Sequence, residues 1–167
     1  MSALNLTQHF DVPAAVVYRA LIDPVAVSAW MFPDGMSIHI HSFESRVGGR
    51  FPISLTYEDD IGVGKSSART DTYRGRFVDL VPNERVVQAL EFETEDPSMQ
   101  GEMSITFALT EIGGSTLLDA WHENVPSGIS PADNETGWRM SLARLKQLVE
   151  QGRTGTSGDP PDGASPS

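Results

Sequence analysis

From residue 37 to residue 123, apolar and polar side chains alternate with period two, and turn-forming residues interrupt the pattern at intervals. Alternation of this kind gives each strand one apolar and one polar face. It predicts antiparallel strands with one side buried and the other wet. The expected strands cover 37–45, 50–58, 69–80, 85–94, 101–112 and 115–123. Between them lie Gly48-Gly49, Asp59-Asp60 with Gly62 and Gly64, Pro82-Asn83, Asp96-Pro97 and Gly113-Gly114. The last pair reads as a primed hairpin turn, whose two central positions need positive φ.

The flanks complete the pattern. Leu4 to Phe10 alternates well enough for one more strand. Pro13 opens a short helix with Val17, Ala20 and Leu21 on one face, and Asp23-Pro24 caps a second that runs to about Trp30. Ser130-Pro131-Ala132-Asp133 has the form of an N-cap, a first-turn proline and an acidic third position. Trp138, Leu142, Leu145 and Leu148/Val149 follow on one helical face, and Gln151-Gly152 is the expected stop. The expected fold is therefore α+β: a curved antiparallel sheet of about seven strands around a long C-terminal helix, with two short helices after the first strand. One helix cannot fill the concave side of such a sheet, so a cavity is expected between them. From Gln151 the chain is almost entirely Gly, Pro, Ser, Thr and Asp, which cannot offset its ordering entropy. This predicts a folded domain over 1–150 and a disordered tail over 151–167.

Charge and composition narrow the function. Twelve Lys and Arg against 23 Asp and Glu give a formal net charge of −11, which repels phosphate backbones and anionic membrane surfaces. Without any cysteine there is no disulfide scaffold, thiol nucleophile or thiolate metal site. No basic stretch leads into an apolar core at the N-terminus, and no 18 apolar residues run together. The expectation is a cytoplasmic protein with no membrane span.

Three motif look-alikes carry little. Gly62-Val63-Gly64-Lys65-Ser66 resembles the end of a phosphate loop, but Asp59 stands where the first glycine belongs. His122-Glu123 begins like a zinc-protease helix, but Pro126 occupies the second histidine position. His39 and His41 would share a strand face, with no third ligand in view; the alternation turns Ile38 and Ile40 inward and leaves both imidazoles in water. No metal site is expected.

The candidate ligand-binding residues are those that face the expected cavity. Trp30 and Met31 end the second helix near its mouth. Phe51, Ile53 and Leu55 alternate on one strand, Met103, Ile105 and Phe107 on another, while Trp138 and Leu142 descend from the long helix. Leu118 and His122 share a strand face, as do Asp71 and Tyr73, so His122 and Tyr73 are the polar groups able to orient a ligand. The other reading of His122 is a residue that caps the turn near Pro126 and the long helix. No paired carboxylates, nucleophile elbow or cofactor fingerprint is present, so no catalytic residue and no cofactor is assigned.

The same order of elements carries a family resemblance. The residues that bear it are Pro13 to Leu21 with Asp23-Pro24 and Trp30; Gly48-Gly49-Arg50-Phe51; Gly75 to Val87; Met103 to Phe107; Gly114 to Leu118; His122-Glu123; and Gly137-Trp138. In this order and spacing the chain resembles the START-like (SRPBCC) superfamily of helix-grip folds, and within it the homologues of the heat-shock-protein ATPase activator. The resemblance implies a deep apolar cavity under the long helix and the binding of lipids, sterols, polyketides or other hydrophobic small molecules. Eukaryotic activators carry a separate N-terminal chaperone-docking domain to which no segment here corresponds, which weighs against a co-chaperone role. The function expected is non-catalytic binding of a small hydrophobic ligand of lipid, polyketide or aromatic type. The alternatives are a cyclase- or isomerase-like enzyme using His122 with Tyr73 or Asp71, and a stress-linked protein-interaction module. A protein partner, and a monomeric or homodimeric state, remain open at this level.

Overall fold

The alternating segment folds as its periodicity predicts. In the computed structural model, which describes residues 2–32, 35–57 and 70–157, seven strands form one antiparallel sheet. They are β1 (Ser2–Phe10), β2 (Met36–Ile40), β3 (Ile53–Tyr57), β4 (Thr70–Val81), β5 (Arg85–Phe92), β6 (Glu102–Ile112) and β7 (Ser115–Val125). The helices are α1 (Ala14–Ile22), α2 (Pro24–Trp30) and α3 (Pro131–Ser157), and a short 3₁₀ turn covers Pro97–Met99. The spatial order β1-β7-β6-β5-β4-β3-β2 needs one long jump, from β1 to β2, which α1 and α2 make. The sheet is curled, and α3 lies in its grip.

The local signals act as expected at most junctions. Gly113 and Gly114 both have positive φ and join Ile112 to Ser115 in a two-residue hairpin. The Asp23 side chain accepts from the Val25 N–H at 3.0 Å, with Pro24 in the first turn of α2. Ser130 Oγ accepts the Asp133 N–H at the start of α3.

Two boundaries differ from the expectation. The strands expected over 37–45 and 50–58 shrink to 36–40 and 53–57. Pro52 lacks an N–H and cannot donate to a ladder, so the stretch 41–52 leaves regular pairing and is held by separate bonds. Among these are His41 N–H to the Pro52 carbonyl and Phe51 N–H to the Gly75 carbonyl. At the other end, α3 runs past Gln151-Gly152 to Ser157, because a glycine weakens a helix by about 1 kcal/mol without terminating it. Residues 158–167, most of the expected tail, lie outside the described residues, as do Arg69 and the glycine-rich 62–66 segment.

The concave face is filled unevenly. At one end Phe43, Phe51 and Phe77 stack with ring centroids 4.7–5.4 Å apart, and Phe51 and Phe77 are fully buried. This cluster depends on Gly75, whose Cα lies against the Phe51 ring, so that a Cβ there would sit inside it. The second half of α3 closes over β1. Lys146 Nζ donates to the His9 carbonyl at 2.9 Å and pairs with Glu150, and Glu150 accepts the Asp11 N–H at 2.8 Å. Outside, Arg74–Glu91 and Arg85–Asp79 bridge the neighbouring strands β4 and β5, and Arg76–Glu102 reaches across β5 from β4 to β6. All six groups are well exposed, so each bridge contributes at most about 1 kcal/mol.

Gly75→Ala should destabilise the domain by about 1–3 kcal/mol, the usual cost of overpacking a filled core. Urea denaturation followed by far-UV circular dichroism measures this, with an unchanged m-value marking an effect on the native packing.

Candidate functional site

Where the aromatic cluster and the second half of α3 stop, a pocket of about 440 Å³ remains between the sheet and the first half of α3. Its size is within the range of small-molecule sites. β2 to β4 contribute Met36, Leu55, Asp71 and Tyr73, while β5 to β7 contribute Leu90, Phe92, Met103, Ile105 and His122. Met31, at the end of α2, and Met99, on the 3₁₀ turn, lie on the wall. The roof consists of the 128–130 segment with Asp133, Asn134, Gly137, Trp138 and Ser141 of α3. Four of the six methionines of the chain therefore face one space.

Of the residues expected to line a cavity, seven do so: Met31, Leu55, Tyr73, Met103, Ile105, His122 and Trp138. The other six, Trp30, Phe51, Ile53, Phe107, Leu118 and Leu142, are buried in the packed core and do not reach the pocket. The reasons are local. Trp30 turns its indole N–H to the Ala20 carbonyl at 2.9 Å, which ties α2 to α1, and meets Phe107 edge-on. Phe51 is spent on the Gly75 notch. Period two assigns a side chain to a face, but not to the filled or the open part of that face.

The residues missed are mostly those whose signal was present but weak. Asn134 and Ser141 flank Trp138 at i−4 and i+3, on the helical face already identified. Leu90 and Phe92 alternate on β5. Met99 and the 128–130 segment carry no periodicity, so only the tertiary structure places them.

The chemistry of the pocket centres on His122, which is 6% exposed. Its Nδ1 lies 3.2 Å from the Trp138 indole N–H and 3.1 Å from Asn134 Nδ2. An indole nitrogen can only donate, so Nδ1 is the acceptor and the single ring proton of the neutral imidazole is on Nε2. Nε2 faces Met103 Sδ at 3.0 Å. Burial pushes the His122 pKa down to about 4, opposed in part by Asn134, whose amide could turn its oxygen toward an imidazolium. His122 thus lies on the pocket wall and fastens β7 to α3 through Asn134 and Trp138. Tyr73 is 6% exposed and stacks edge-on against Phe92, with no hydrogen bond to its hydroxyl from a described residue. Burial raises its pKa above the ordinary phenol range, so the hydroxyl keeps its proton.

His39 and His41 point outward, as the alternation required. Both are exposed, their rings lie 4.5 Å apart, and His41 Nε2 bonds Ser54 Oγ at 2.8 Å. Among the described residues, no three or more His, Cys, Asp or Glu converge. No helix of the described chain is long and apolar enough to cross a membrane.

A curled antiparallel sheet gripping one long helix, with the space between them partly open, defines the helix-grip class. Residues 11–150 match the family described as activator of Hsp90 ATPase homolog 1-like protein (AHSA1), and the chain belongs to that family. Solved structures agree. A protein from Chromobacterium violaceum is 28% identical over 90% of this chain and 99% of its own, with a TM-score of 0.79. The AHSA1 protein of Silicibacter pomeroyi, at 17% identity, covers 90% of this chain and 99% of its own with a TM-score of 0.73. DynU16, from the dynemicin biosynthetic locus, is 19% identical and matches 91% of this chain with 48% of its own at a TM-score of 0.64. No curated protein matches the sequence.

The low pKa of His122 has a measurable consequence. As pH falls from about 6.5 toward 4, the unfolded chain binds a proton at this histidine that the native state does not. Native stability should therefore decline across that window, by up to roughly 3 kcal/mol, and this contribution should level off below it. Urea titrations from pH 7 to 4, compared with His122→Gln, isolate the contribution. Nitrogen-15 spectra of the ring should show a protonated Nε2 and a bare Nδ1 down to about pH 4.

Proposed function

We propose that the protein binds a small hydrophobic molecule in the pocket between the sheet and the first half of α3, and that it acts by binding rather than by chemistry. The observation that carries this reading is the wall itself. It is a half-open cleft of about 440 Å³ with four methionines, Leu55, Leu90, Phe92, Ile105 and Trp138, between the sheet and the first half of α3. Thioethers and aromatic rings fit apolar ligands of varied outline. A ligand that buries about 250 Å² of apolar surface gains about 6 kcal/mol, which corresponds to tens of micromolar.

The state of His122 supports binding over acid–base chemistry. Acting as a base at Nδ1 would require it to give up the bonds from Trp138 and Asn134, and Nε2 already carries a proton. With a pKa near 4 it is a weak base at neutral pH.

Native mass spectrometry and thermal shift against a panel of lipids, flavonoids and polyketides test the reading. At least one apolar class should bind with 1:1 stoichiometry and raise the melting temperature. Ser141→Phe, which places a ring in the roof of the pocket, should weaken that ligand at least tenfold while leaving the far-UV spectrum intact. Silence across the whole panel would overturn the proposal.

A further inference from the structure

The polar groups on the pocket wall restrict which apolar molecules fit. Among the described lining residues there is no lysine and no arginine, whereas Asp71 and Asp133 are both present. Asp133 is exposed and Asp71 only half-buried, so neither belongs to the buried part of the wall. The polar groups that are buried are hydrogen-bond donors. The Tyr73 hydroxyl has no bond from a described residue, and neither does that of Ser141, which is 5% exposed in the roof. His122 is held by Trp138 in the tautomer that presents Nε2–H, and that proton rests on the sulfur of Met103. A thioether is a weak acceptor and the methionine side chain has three rotatable bonds, so this contact is readily exchanged.

Resting on the pocket reading above, we propose that the ligand bears a carbonyl or ether oxygen and that this oxygen replaces Met103 Sδ as the acceptor for His122 Nε2–H. Tyr73, on β4, offers a second donor on the far side of β5 and β6 from His122. A ligand with an oxygen at each end would satisfy both. Met103 Sδ keeps this buried N–H from being left unpaired until a ligand oxygen takes its place.

Two matched probes test this: 2-acetylnaphthalene and 2-ethylnaphthalene, titrated by calorimetry at pH 7.5. The ketone should bind about fivefold or more tighter than the ethyl compound, the value of one exchanged neutral hydrogen bond. On binding the ketone, and not the ethyl compound, the His122 Nε2–H resonance should shift downfield. Met103→Leu, a volume-conserving change, removes the competing acceptor and should strengthen the ketone severalfold without affecting the ethyl compound. Equal binding of the two probes, or an unmoved Nε2–H signal in the ketone complex, would overturn this inference and leave the pocket reading in place. If neither binds and the wider panel is silent as well, both fall together.

Discussion

A curled sheet of seven strands offers more concave surface than one helix can cover, and the architecture follows from how that mismatch is resolved. The chain closes one end of the concavity with the phenylalanine cluster and the two short helices, and closes over β1 with the second half of α3. What remains is bounded by the first half of α3 and the middle of the sheet. The pocket is thus the part of the interface that the packing of the rest leaves open, and its position is set by where the filled regions stop.

Much of this can be read along the chain, for physical reasons that also mark the limits. Alternation over Met103, Ile105 and Phe107, and over Thr116, Leu118, Ala120 and His122, assigns the inner face correctly, because successive side chains in a strand must point to opposite sides. The Asp23, Ser130 and Gly113-Gly114 junctions are chemically specific and are found where expected. What alternation cannot say is which inward residue meets another side chain and which meets a void. Trp30 and Phe51 were candidates on the same grounds as Met31 and Leu55, yet a backbone carbonyl and a glycine notch claimed them. Met99 and Asn134 come to the pocket through the path of a turn and the roll of a helix, and neither property is visible in a period-two pattern.

His122 joins the stability of the fold to the chemistry of the pocket wall. The bond from Trp138 secures α3 to the sheet and, by the same contact, decides which ring nitrogen bears the proton. The orientation of the helix and the chemical identity of the pocket wall are therefore not independent. A change that loosens the helix would also release the imidazole to adopt the other tautomer. Burial accentuates the coupling, since a histidine this far from water has little to gain from charging.

The two sides of the cleft differ in how they respond to replacement. The Phe51–Gly75 notch is rigid, since rings interlocked against bare backbone have no slack. Met31, Met36, Met99 and Met103 stand on strand ends, a helix terminus and a turn, with unbranched side chains that bend without disturbing their neighbours. Descendants of this chain could therefore reshape the pocket by exchanging thioethers one at a time, while the aromatic side preserves the scaffold through that drift.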